Sequence, residues 1–139
     1  MLTQAQADRL ITMAKEAERD TPLQWKTAKA ENEVLVSVEE KGIMFVLFMK
    51  RNPFEIRLHL RTKDRDVGLM RVDNHRYHAN PDGSEIREKA HLHKYKEGDG
   101  LAWAEAIDWY DLENPNTTLE RFLALINARF PMGIQLEMF

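Results

Sequence analysis

Four of the five histidines fall between residues 75 and 93, at His75, His78, His91 and His93. The segment around them, MRVDNHRYHANPDGSEIREKAHLHKY (70–95), also carries Arg71, Asp73, Tyr77 and Tyr95. These side chains move protons and hold phosphates near neutral pH. An imidazole, with an unperturbed pKa of about 6.5, can accept or donate a proton in a reaction. A guanidinium can grip a phosphate through two parallel bonds and stabilise the charge that develops on it. The set suits metal-independent cleavage of a phosphodiester. Single-stranded RNA is the expected substrate. Its bases splay out to stack on a tyrosine, and its 2′-hydroxyl is an internal nucleophile.

These residues need elements to position them. Phe54 to Arg61 alternates cleanly, with Phe54, Ile56, Leu58 and Leu60 on one face and Glu55, Arg57, His59 and Arg61 on the other. That period marks a half-buried antiparallel strand. Strands are also expected over Val34–Val38, Ile43–Lys50, Val67–Asp73 and Ala90–Tyr95, with a turn at Asn80-Pro81-Asp82-Gly83. Residues i and i+2 of a strand share a face, so His91, His93 and Tyr95 are expected together, with Arg71 and Asp73 beside them. Thr3, with Gln6 in the capping-box position, starts a helix over about 3–18. Thr117, with Glu120 three residues on, caps a second helix whose apolar stripe is Leu119, Phe122, Leu123, Ile126 and Phe130. The expected fold is α+β: an antiparallel sheet of about five strands with the N- and C-terminal helices packed on one face.

Length and composition set the frame. A chain of 139 residues fits a single domain over 1–139. The formal net charge is −3, so nucleic-acid binding has to come from a local patch. With no cysteine, disulfides, thiolate nucleophiles and Cys-ligated zinc are excluded. The N-terminal stretch has no apolar run like a signal-peptide core, and Ile43–Met49 is too short to span a bilayer. A cytoplasmic protein that does not enter a membrane is expected. No GxGxxG, P-loop, GxSxG or HExxH motif occurs.

Each feature has a plainer reading. Arg57, His59 and Arg61 fit the solvated face of any antiparallel sheet. The His91/His93 pair fits a structural role, acid–base catalysis or metal binding. With His78 or His75 and Asp73 it could give a three-ligand metal site. The neighbouring arginines oppose a cation there, so no metal or other cofactor is expected.

Arg71-x-Asp73-Asn74, then His78, then His91-Leu92-His93-Lys94, resembles the pattern of TumE-type toxins, the toxin components of bacterial toxin–antitoxin pairs. Those proteins carry an Arg-Tyr-Asp-Asn element, a histidine pair and a His-His-Lys-His element. Here Val72 replaces the aromatic, and Arg76-Tyr77 separates His75 from His78. The resemblance implies a cytoplasmic RNA-directed toxin neutralised by an antitoxin protein. Its implied site residues are Arg71, Asp73, His78, His91 and His93.

The expected catalytic group is therefore His91, His93, His78 and Asp73, with Arg57, His59, Arg71, Tyr77 and Tyr95 binding substrate. A homodimer is a candidate assembly. The alternative is a non-catalytic phage or mobile-element protein that binds and inhibits a host defence protein. It would use Trp103–Tyr110 and the acidic run Glu105, Asp108, Asp111 and Glu113.

Overall fold

The first helix starts where its cap dictates and stops early. In the computed structural model, which describes residues 1–136, α1 spans Gln4–Thr12. The Thr3 hydroxyl accepts the Gln6 N–H, and the Gln6 side chain accepts the Thr3 N–H. Beyond Ile11 the burial period changes from helical to two, with Met13, Lys15 and Ala17 all inward. The chain becomes β1 (Lys15–Ala17) and does not continue the helix to residue 18. Sheet pairing decides this, because Lys15, Glu16 and Ala17 register against Ser37, Val36 and Leu35.

The remaining elements are β2 (Leu23–Trp25), β3 (Glu31–Ser37), β4 (Met44–Asn52), β5 (Glu55–Thr62), β6 (Gly68–Asp73), β7 (Tyr77–Ala79), β8 (Glu85–Arg87), β9 (His91–Lys94), β10 (Ala104–Ala106), α2 (Pro115–Leu125), β11 (Ala128–Arg129) and β12 (Ile134–Leu136). The α+β class holds, but the sheet has eight strands, not about five, in the order β10-β9-β6-β5-β4-β3-β1-β11. It is antiparallel except where β1 pairs with β11. The extra strands, β1, β10 and β11, lie at its two edges and are two or three residues long, too short to leave an alternation signal.

Helix placement also differs from expectation. The second helix does not close the chain; it leads into β11 and β12. Its N-cap position is Asn114, whose side chain makes no capping bond, with Pro115 in the first turn, so Thr117 lies inside the helix. Proline suits that place because its missing N–H is unpaired there anyway. Helix α1 packs on β6 and α2 on β5.

One face of the sheet is the core: Leu35, Phe45, Leu47, Met49, Leu58, Leu60 and Val72 are fully buried. Lys15 is buried among them at 1% exposure. Its Nζ donates to the carbonyls of Ile11, Met13 and Ile126 at 2.6–2.8 Å and lies 4.8 Å from the Phe45 ring centroid. Those carbonyls are orphans at the C-terminal ends of both helices, where a cation also meets the negative end of the dipole. Burial pulls the Lys15 pKa down to about 7. Three acceptors and an aromatic face work the other way.

Candidate functional site

The opposite face carries the ionisable residues, and the strand register lines them up. One cross-strand row runs Phe48, His59, Arg71, His93, Ala104 through β4, β5, β6, β9 and β10. In the next, Asp73 stands opposite His91, and His91 opposite Ala106. Small alanines beside the two histidines leave room above the sheet. The β7–β8 hairpin folds into that room and brings His78 over both rings. Its ring centroid lies 5.4 Å from His91 and 4.8 Å from His93, and the latter two are 4.9 Å apart.

The hairpin is held by its turn and by one asparagine. Gly83 adopts φ +88°, open to glycine, and Asp82 accepts the Ser84 N–H and hydroxyl. The Asn80 amide then copies a strand partner, donating to the Ala104 carbonyl at 3.0 Å and accepting its N–H at 2.8 Å. His78 Nε2 lies 2.9 Å from the Ala102 carbonyl and 3.0 Å from Asn80 Oδ1. Sequence reasoning took Asn80 only as a turn residue, because its anchoring partner lies 24 residues away.

Asp73 is the hub, 2% exposed. His91 Nε2 approaches its Oδ1 at 2.9 Å, and Arg71 Nε donates to Oδ2 at 3.1 Å. His93 Nε2 lies 3.5 Å from Oδ2 and 3.3 Å from the Arg71 guanidinium. Burial pushes the Asp73 carboxyl up, but the hydrogen bond from His93, the nearby His91 and the His75 backbone N–H together hold it well below the usual carboxylate range. Burial lowers the His91 pKa; the Lys89 carbonyl and Asp73 oppose this, and His93 and His78 add to it. Asp73 thus stays ionised at neutral pH. Arg71, with 28% of its side chain exposed, links this buried group to solvent.

The structure therefore brings together Arg71, Asp73, His78, His91 and His93. The other expected substrate-binding residues are placed differently. His59 shares the face, but its Nε2 is buried with no hydrogen-bond partner among the described residues. Burial, then Arg71, Arg61 and Arg57, pull its pKa to about 4, so it is neutral at pH 7 and serves as packing. Arg57 lies on the same face, half-buried, opposite Lys50. Tyr77 alternates with His78 and points away from the cluster; its hydroxyl donates to Glu85 and Arg87 lies over its ring. Tyr95 follows the end of β9, is buried, and donates to the Leu2 carbonyl. His75 is exposed outside the cluster and contributes only its N–H.

The aromatics of 103–110 are tied to their own chain. Trp103 donates to Asp99 under the Lys96 ammonium, and Arg121 lies over Trp109. The Tyr110 hydroxyl accepts the Ile56 N–H and donates to the Ile56 carbonyl, and burial raises its pKa to about 12. It fills the edge of β5 beyond the last β6 residue. The acids Glu105, Asp108, Asp111 and Glu113 are exposed.

Fold and site together define a small α+β protein with an Asp-centred cluster of histidines and one arginine on the outer face of its main sheet. By sequence it belongs to the Family of unknown function (DUF6978), whose model matches residues 2–128. No curated protein and no solved structure matches the chain.

Proposed function

We propose that this chain is a metal-independent endoribonuclease of the toxin type, acting on single-stranded RNA in the cytoplasm. The observation that carries the reading is Arg71. Its guanidinium touches both Asp73 and His93 while reaching solvent. A phosphate bound by that guanidinium meets the histidines directly.

The chemistry needs no group beyond these. One histidine of the His91/His93 pair takes the 2′-hydroxyl proton as the oxygen attacks phosphorus. A second histidine gives a proton to the departing 5′-oxygen, leaving a 2′,3′-cyclic phosphate. Arg71 stabilises the charge on the phosphoryl oxygens. Asp73 orients His91 and favours its imidazolium form. The toxin role, with an antitoxin protein as partner, rests on the Arg-x-Asp-Asn and His-x-His resemblance.

The test is inducible expression in a bacterium, following growth and total RNA. Wild type is expected to arrest growth and cleave RNA. The His91→Ala/His93→Ala double variant is expected to do neither. Both histidines are buried, so Arg71→Lys and His78→Ala, at more exposed positions, guard against simple unfolding. Full toxicity in soluble Arg71→Lys and in the double variant would sink the reading.

A further inference from the structure

We propose that His78, His91 and His93 form a binding site for a zinc-class divalent ion, and that the ion closes the acid–base site when bound. The binding half needs no catalytic activity. The regulatory half rests on the nuclease reading above.

One ring nitrogen from each of the three histidines lies within 4.8 Å of the others. The opposite nitrogens are already anchored. His91 Nδ1 faces the Lys89 carbonyl at 3.1 Å, and His93 Nδ1 faces the Leu101 carbonyl at 2.8 Å. His78 Nε2 faces the Ala102 carbonyl at 2.9 Å. A histidine that binds a metal donates its second N–H to such an oxygen, which fixes the tautomer and makes the free nitrogen a better ligand. The atoms that would face an ion are then His91 Nε2, His93 Nε2 and His78 Nδ1; the first two now meet Asp73 and Arg71, so an ion has to displace those contacts. Three imidazoles with an open position suit zinc, copper or nickel far better than calcium or magnesium.

His91 and His93 are 1% and 2% exposed and set on one strand, so two ligands are fixed. Nitrogens bonded to one ion at about 2.1 Å lie about 3.4 Å apart, so a pair at the 4.8 Å limit closes by about 1.4 Å. His78, on the β7–β8 hairpin that forms its own two-stranded sheet outside the main one, can supply that movement. Asp73 Oδ1, 2.9 Å from His91 Nε2, places negative charge beside the ion. The Arg71 guanidinium, 3.3 Å from His93 Nε2, has to swing into solvent. A bound ion therefore takes the lone pairs that would accept a proton and displaces the phosphate clamp.

The experiment is titration of tag-free protein with Zn²⁺ against a chromogenic chelator, followed by calorimetry. Wild type is expected to bind one ion per chain. His78→Ala is expected to lose at least tenfold in affinity, and His75→Ala to keep wild-type affinity. Circular dichroism of each variant checks that it is folded. Equal affinity of wild type and folded His78→Ala, or no saturable binding by wild type, would overturn the site. Cleavage of an RNA oligonucleotide is then followed along the same titration. Loss of cleavage in step with occupancy, reversed by chelator, is expected; undiminished cleavage at full occupancy overturns the regulatory half. Zinc binding without any RNA cleavage leaves the site standing and removes the nuclease reading. Cleavage without zinc binding does the reverse.

Discussion

Arg71 and His59 are neighbours in one cross-strand row, yet their roles diverge. Arg71 reaches water and bridges Asp73 and His93. For the nuclease reading, Arg71→Lys keeps the charge but loses the planar fork. Its cleavage rate on an RNA oligonucleotide should fall about 100-fold with little change in melting temperature. His59 is neutral in the folded protein, with its pKa near 4 against 6.5 in an open chain. Above pH 6.5 it is neutral in both states and contributes no slope. Between 6.5 and 4 the unfolded chain takes up a proton that the folded one refuses, so stability falls as pH falls. The ring is not fully sealed from water, so screening trims the effect to about 1–2 kcal/mol. Urea midpoints at pH 7 and pH 4.5 should differ less in His59→Gln than in wild type; an equal difference would contradict this.

The elements are joined by a few side chains that act as backbone surrogates. Lys15 ties the ends of both helices to the sheet through three carbonyls. Replacing it by Met fills the volume and leaves all three acceptors unpaired. That should cost about 3 kcal/mol in chemical denaturation, since each orphaned buried group carries its own penalty. Asn80 does the same for the hairpin. Asn80→Ala should free β7 and β8 while the main sheet stays intact. Hydrogen exchange would then speed up over 77–87, with global stability lowered by only about 1 kcal/mol. Gly68 marks another junction, because a Cβ there would lie 2.7 Å from Leu101 Cδ1 and 3.1 Å from His59 Nε2. Gly68→Ala pushes on Leu101, whose carbonyl holds His93 Nδ1, so cleavage should weaken more than stability does.

At the scale of the whole molecule, strand pairs remote in sequence tie early segments to late ones, in the main sheet and in a separate two-stranded one. β1 pairs with β11 through Lys15–Ala128 and Glu16–Arg129. β2 pairs with β12 through Leu23–Ile134. Chain ends locked into the same structure should unfold together with its centre. Trp25 is buried at one side, while Trp103 and Trp109 lie after β9. Fluorescence and far-ultraviolet circular dichroism should therefore give coincident unfolding midpoints; separate midpoints would mean that the β9–β10 region melts alone.

The sequence by itself determined what local chemistry encodes. The Thr3–Gln6 cap, the alternation of β5 and the glycine-bearing turn after Asn80 are each set by a few adjacent residues. Alternation also put Arg57, His59 and Arg61 on one face, because side chains in a strand reverse at every step. Only the tertiary structure decided what lies opposite what. Register carries Arg71 to His93 and Asp73 to His91, across spans of 22 and 18 residues that no local pattern can count. Pairing of β1 with β3 likewise turned residues 15–17 from helix to strand, and the docking of a short hairpin brought His78 to His91 and His93 while Tyr77 turned away. Residue types reveal which chemistry a chain can do; hydrogen bonding between distant strands selects which of those residues meet.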